Sequence, residues 1–379
     1  MRILVAHPHL NVIGGSEVLT KILVYELASQ GHEVIVVTRA RNPEVFPDAP
    51  NVRFELFKEI TELSKYEPSV RAQKIVNLLY TFDYVINRYN PNVVLVMIQE
   101  PIYAVISKFV NPFLGTALYI HYPFEEELKP ENLPKFIEMY RFPALYESLY
   151  KAVDLHFTNS NYTAKALHKH FGIESNVVYP AVPWDYFTEE PSVEEDRENV
   201  IVTVGRFVPQ KRHDVLIKLF RDRIKPVCRD ARLVIVGVKD PRYEEYYESL
   251  KKLAEETEGV ELIDRALTPR DMIKIYRSAK VYVHMRIGEH FGMAPVEAMT
   301  QATIPILPRQ SGLAELITHG KNGFLFDNDD EVVEYVIRIL NMEKSKLVEL
   351  RKYALRTSWY FTPERFARQI LYYLKLVAE

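Results

Sequence analysis

The sequence is short of three things, and each shortage excludes something. It has one cysteine, Cys228, in 379 residues, so it can build neither a disulfide framework nor a cysteine metal cluster. It has no long apolar run. The longest, Val93-Val94-Leu95-Val96-Met97-Ile98, is six residues, against the roughly 20 that cross a bilayer. It has only 13 glycines, about half the usual share of ~7%, so each glycine is expected to answer a specific backbone demand. The first residues, Met1-Arg2-Ile3-Leu4-Val5-Ala6, read as a buried strand and lack a signal peptide's longer apolar region and cleavage site, which predicts a cytoplasmic protein. With 48 basic and 51 acidic residues there is no cationic footprint for nucleic acid. Seven glutamines beside many Lys, Arg, Glu and Tyr lean towards a thermophile.

What is present is an α/β pattern from end to end. Short apolar runs alternate with helix-period segments, as in parallel βαβ units. Strands are expected at 2–6, 33–38, 93–98, 117–121 and 154–158, with helices at 16–30 and 70–89. On the second helix Ile75, Leu78, Leu79, Phe82, Val85 and Ile86 share one face. A stiff Tyr179-Pro180-Ala181-Val182-Pro183 segment and a polar, acidic stretch, 189–199, then break the pattern. It restarts with strands at 200–204, 233–236, 260–263, 281–284 and 304–307 and helices at 212–223, 242–257, 269–278 and 294–300. The fold class is therefore α/β with two doubly wound, parallel-sheet, Rossmann-like domains, 1–182 and 183–359, facing each other across a cleft. A last helix, about 360–379, is expected to pack back on the first domain. Charge divides unevenly: 17 basic and 22 acidic residues through Glu190, then 31 and 29. The second half, net +2, is the better home for an anionic ligand.

Four loops carry chemistry. The first reads His7-Pro8-His9-Leu10-Asn11-Val12-Ile13-Gly14-Gly15-Ser16-Glu17, and paired glycines between strand and helix let backbone amides approach a phosphate or make a tight turn. His7 and His9 share a strand face but lack a third metal ligand of matching spacing, so no metal is expected. The second is Gly205-Arg206-Phe207-Val208-Pro209-Gln210-Lys211, in which a guanidinium fork and an ammonium follow a strand-ending glycine and could converge on a pyrophosphate. The third is Glu289-His290-Phe291-Gly292-Met293-Ala294-Pro295-Val296-Glu297. Its two carboxylates can each accept hydroxyl hydrogen bonds from a vicinal diol, while Phe291, Gly292 and Met293 offer amides at a helix start. The fourth, Gln310-Ser311-Gly312-Leu313-Ala314-Glu315, follows the strand expected at 304–307.

Taken together, GGSE, GRFVPQK and EHFGMAPVEAM resemble the retaining GT-B glycosyltransferases of family 4, with their two glutamates separated by seven residues. HPHLNVIGGSE, EVIVVTRARNPEVF and IHYPF around His121 look particularly like the mannosyltransferases that extend dolichyl-linked oligosaccharides. The resemblance implies a GT-B fold with an acceptor-side first domain and a second domain that binds a nucleotide sugar. It implies that Gly14 and Gly15 let the loop approach the donor, and that Arg206, Lys211 and Gly205 frame its diphosphate. Glu297 would hold the ribose, and Glu289 with Phe291, Gly292 and Met293 would hold the transferred sugar. His121 would touch that sugar, and Arg265 would lie near the base. No metal is expected. Leu313 and Ala314 depart from the family's usual glycine and proline, which bears on the sugar's identity.

GDP-mannose is the favoured donor, with a glycan or lipid-linked acceptor. Residues 129–151 mix Lys129, Lys135, Arg141 and Lys151 with Phe136, Tyr140, Phe142 and Leu149, a stripe that suits either a core or peripheral contact with a membrane. Three other readings stay open on the sequence alone. They are a transferase using a UDP-sugar and a soluble acceptor, a sugar-nucleotide epimerase, and a non-catalytic nucleotide-sugar-binding protein.

Overall fold

A computed structural model describes residues 1–12, 14–58, 70–123, 143–188 and 191–378. The chain divides into two compact units, Met1–Ala181 with Pro363–Glu379, and Val182–Thr362. In the first unit the strands are β1 (Arg2–Ala6), β2 (Glu33–Thr38), β3 (Val52–Leu56), β4 (Val93–Val96), β5 (Gly115–Ile120), β6 (Leu155–Thr158) and β7 (Asn176–Val177). They form one seven-stranded sheet in the order β3-β2-β1-β4-β5-β6-β7. Every pairing is parallel. Parallel sheets need cover on both faces, which is why these strands read as unbroken apolar runs. Ile3, Leu4 and Val5 are fully buried, alternately feeding the cores on the two faces; each contributes about 1.5–3 kcal/mol by leaving water.

Helices α1 (Gly15–Ser29), α2 (Val70–Tyr89), α3 (Ile102–Val110), α4 (Pro143–Lys151) and α5 (Asn161–Phe171) connect these strands. α2 has the expected bounds, and Leu78, Phe82, Val85 and Ile86 are buried, but Ile75 at its first turns is exposed. Of the basic and aromatic stretch 129–151, residues up to 142 lie outside the described residues.

The second unit has β8 (Val200–Val204), β9 (Arg232–Val236), β10 (Val260–Ile263), β11 (Val281–Val283), β12 (Ile304–Pro308) and β13 (Phe324–Phe326), in the order β10-β9-β8-β11-β12-β13. Its helices are α6 (His213–Leu219), α7 (Glu244–Glu255), α8 (Pro269–Ser278), α9 (Met293–Thr300), α10 (Asp329–Leu340) and α11 (Lys344–Ser358). The expected single helix over 212–223 is two pieces: α6 passes into a π turn at Phe220–Ile224, where the Lys225 amide reaches back to the Phe220 carbonyl. The last helix, α12 (Pro363–Val377), belongs to the first unit, with Phe366, Ile370 and Leu374 in the same core as Ile3 and Val5. Among the described residues no helix is long and apolar enough to cross a membrane.

Both sheets thus place their first strand at the centre, next to the fourth. The crossovers leave that pair in opposite directions, and the gap between β1 and β4, like that between β8 and β11, is a switch point where open α/β sheets take ligands.

Candidate functional site

In the second unit the loops from β8 and β11 meet at that switch point. After Val204 the Gly205 amide still bonds the Val236 carbonyl at 2.9 Å. A short 3₁₀ turn, Pro209–Lys211, follows, then Arg212 at a left-handed φ of 54°, held by two hydrogen bonds to Asp329 of 3.0 and 2.9 Å. That anchorage points Lys211 back over the strand end. Its stem lies across Gly205, where a Cβ would stand 3.2 Å from Lys211 Cδ and Cε. The ammonium reaches Glu289 Oε2 at 2.6 Å.

Glu289 is nearly enclosed. His284 Nε2 lies 3.3 Å from the same oxygen, and Arg286 lies 3.8 Å from the other. Burial opposes ionisation here, but the Lys211 charge, the His284 hydrogen bond and Arg286 outweigh it and hold the carboxyl well below its usual range. Burial keeps the His284 pKa down, so the neutral ring donates from Nε2. The fourth loop lies beside the third: the Gly288 amide bonds the Gln310 carbonyl and the Gly312 amide bonds the Glu289 carbonyl, both at 2.8 Å. Leu313 and Ala314 are buried, so their apolar character serves the core rather than the loop's polar edge.

Gly292 then starts α9 with a φ of 91°, a conformation that L side chains rarely adopt. Among the described residues no side chain caps this helix, leaving its first amides, from Met293 onward, available to a ligand. Phe291 is buried with its ring 5.7 Å from that of Phe361. Glu297 accepts the Tyr276 hydroxyl at 2.9 Å and a second hydrogen bond from Tyr186. Burial pushes Glu297 up to about 6 despite those two donors.

Arg206, five residues before Lys211, bonds Asp240 at 3.1 Å. Arg242 grips the same buried carboxylate at 2.9 and 2.7 Å, and holds it below its usual range together with Arg206. Arg265 is exposed beyond the end of β10. At the start of α10, Asp327 pairs with Arg309 and Asp329 with Arg212.

In the first unit, Gly14 is the cap residue of α1 and Gly15 its first residue, and among the described residues nothing beyond its neighbours lies within 4 Å of the place where a Gly15 side chain would begin. His121 follows β5 and donates from Nε2 to the Met97 carbonyl at 3.1 Å. Burial lowers its pKa to about 4. It is a neutral ring whose Nδ1 lone pair can accept a hydroxyl. Sequence reasoning passed over His284, Tyr276, Tyr186 and Asp240. For His284 a signal existed, a histidine at a strand end five residues before the glutamate. The two tyrosines, 21 residues before Glu297 and earlier still, gave none.

Two parallel sheets of this strand order, with a Lys–Glu pair at one switch point and a second glutamate one turn into α9, have the architecture of the GT-B glycosyltransferases. The chain belongs to the family 4/group 1 glycosyltransferases: the Glycosyltransferase Family 4 profile matches residues 13–185 and the Glycosyl transferases group 1 profile matches 187–357. It is similar to a GDP-Man:Man(3)GlcNAc(2)-PP-Dol alpha-1,2-mannosyltransferase of Neurospora crassa, at 27% identity over 69% of this chain and 56% of that protein. It is also similar to the alpha-1,3/1,6-mannosyltransferase ALG2 of Rhizomucor pusillus, at 25% identity over 89% of this chain and 83% of that protein. The chain spans about half the length of the first curated relatives it matches, 50–56%. Among solved structures, Anabaena HepE in complex with UDP and glucose has the same fold, with a TM-score of 0.76 at 17% identity over 99% of this chain and 100% of that one.

Proposed function

We propose that the protein transfers mannose from GDP-mannose to a hydroxyl of a lipid-linked oligosaccharide, with retention at the anomeric carbon and without a metal. The observation that carries this reading is the Lys211–Glu289 pair, 2.6 Å apart beside the uncapped start of α9. The similarity to mannosyltransferases of Neurospora crassa and Rhizomucor pusillus supports the choice of sugar.

The chemistry follows from charge. Breaking the bond between the anomeric carbon and the phosphate oxygen leaves negative charge on a diphosphate. Preorganised cations and amides there can supply several kcal/mol. Lys211 and the α9 amides supply them, joined by Arg206 as it turns from Asp240, which Arg242 continues to hold. Glu289 stays ionised and accepts sugar hydroxyls, and Glu297 accepts those of the ribose. The acceptor oxygen bonds the anomeric carbon on the face the phosphate leaves, and its proton passes to the departing phosphate oxygen. A peripheral site on a cytoplasmic membrane face would suit a lipid-linked acceptor.

Calorimetry with GDP-mannose, UDP-glucose and UDP-N-acetylglucosamine tests the donor. Binding of GDP and GDP-mannose with none for the UDP compounds is expected; the converse would overturn the mannosyl reading in favour of a UDP-sugar transferase.

A further inference from the structure

The first unit has a switch point of its own, between β1 and β4. β1 runs out at Ala6, and the next side chain, His7, is 0% exposed. Its Nδ1 accepts the His9 amide at 3.3 Å, which leaves the ring proton on Nε2. Burial, with His121 and His9 nearby, lowers its pKa to about 3, so the ring is neutral. Among the described residues that buried Nε2–H has no hydrogen-bond partner. Buried donors are rarely left so, and an orphan at a strand end calls for a partner that arrives.

The group it faces is Glu17 in the first turn of α1, whose Oε1 lies 3.7 Å away, just beyond hydrogen-bonding range. The other oxygen, Oε2, lies over Gly14 so closely that a Cβ there would be 2.5 Å from it. Next to it the space at Gly15 is open. One carboxylate thus stretches from a buried imidazole to the rim of the glycine loop. An ionised carboxylate only accepts hydrogen bonds and repels phosphate, so the ligand group it suits is a hydroxyl.

We propose that Glu17, oriented from behind by His7, accepts a hydrogen bond from a sugar hydroxyl at the Gly14–Gly15 loop. This rests on the glycosyl-transfer reading and deepens it: a third hydroxyl-binding carboxylate stands on the first unit, and the loop receives sugar rather than phosphate. A carboxylate movement of about 0.8 Å on engagement gives the His7 donor a normal hydrogen bond. The hydroxyl belongs either to the donor's sugar or to the acceptor's, and both are read in one experiment.

The experiment measures binding of GDP and of GDP-mannose, and KM for a methyl mannobioside acceptor, for the full-length protein and its Glu17→Ala and Glu17→Gln variants. GDP affinity is expected to be unchanged. If the hydroxyl is the donor's, the preference for GDP-mannose over GDP falls about tenfold or more in Glu17→Ala. If it is the acceptor's, that preference holds and the acceptor KM rises by a similar factor. Glu17→Gln, which keeps shape and an accepting oxygen, lies between. His7→Gln, which retains an N–H, preserves more of the effect than His7→Leu. Unchanged values in both arms overturn the proposal, as does a loss of GDP affinity, which would mark a diphosphate contact. A wild-type protein that neither prefers GDP-mannose to GDP nor transfers mannose sinks the parent reading instead.

Discussion

Lys211 and Glu289, 78 residues apart, meet at 2.6 Å because the crossovers from β8 and β11 leave the sheet on either side of one gap. The pair is partly shielded, with side chains 19% and 14% exposed. Lys211→Met leaves a carboxylate that burial already disfavours, against only His284 and Arg286. The expected loss is about 2 kcal/mol of stability, below the range for fully buried pairs because some solvent remains. Transfer is lost with it, and nucleotide affinity falls. Denaturant melts and calorimetry check the two effects separately; a variant with wild-type stability and activity would contradict the pairing.

Gly205→Ala tests the same relationship with no change of charge. The new methyl would crowd the Lys211 stem at 3.2 Å, a contact that must give by a few tenths of an ångström. Since the stem is flexible, stability should change by less than about 1 kcal/mol. The ammonium is displaced from its pairing, so turnover should fall about tenfold, because small misplacements at a reacting centre are costly. Steady-state kinetics beside thermal melts decide it, and unchanged turnover would count against Lys211's role.

Glu297 gives a pH signature. Its folded pKa of about 6 lies above the ordinary 4.5. Between those values the folded state holds more protons than the unfolded chain, so this group's contribution to stability declines as pH rises through that window. Glu297→Gln should therefore melt higher than wild type near pH 8, with the gap closing below about pH 4.5. Nucleotide binding runs the opposite way. Ribose hydroxyls need the ionised acceptor, so GDP affinity should climb several-fold as pH rises through 6 in the wild type and stay flat in Glu297→Gln. A flat wild-type profile would remove Glu297 from the ribose site.

The Tyr276 hydroxyl, buried and 2.9 Å from Glu297, is a positioning group for that carboxylate. Tyr276→Phe should weaken GDP about three- to tenfold, the worth of one ordinary hydrogen bond. Binding of 2′,3′-dideoxy-GDP should not change. Calorimetry with both ligands isolates the effect; equal losses for the two would mean that the tyrosine acts on packing alone.

Much of the fold is legible because burial on both faces writes parallel strands as short apolar runs. Val200–Val204 and Val260–Ile263 stand out for that reason, and so does the helix Val70–Tyr89 by its apolar period. The break after Phe220 is not legible, since a π turn keeps the same apolar residues inward as a helix does. Neither are α10 and α11 separately, because residues 329–358 carry helix-forming side chains almost throughout. At the site, residue types were readable and their partners were not. Arg206 and Lys211 are five apart in sequence, and a shared anion is the natural expectation. The buried Asp240, 34 residues on and held by Arg242, also bonds Arg206, and nothing in the local sequence pairs the two. Leu313 and Ala314 look like losses from a sugar loop until their burial shows them to be core.

Mannosyl transfer centred on the Lys211–Glu289 pair is open to direct test. The most direct measurement incubates the protein with radiolabelled GDP-mannose and dolichyl-diphosphate oligosaccharides, beside Glu289→Gln. The account predicts a labelled lipid-linked product bearing one more α-linked mannose, absent with Glu289→Gln although that variant still binds GDP. Product formation undiminished in Glu289→Gln, or transfer from UDP-glucose but not from GDP-mannose, would contradict it.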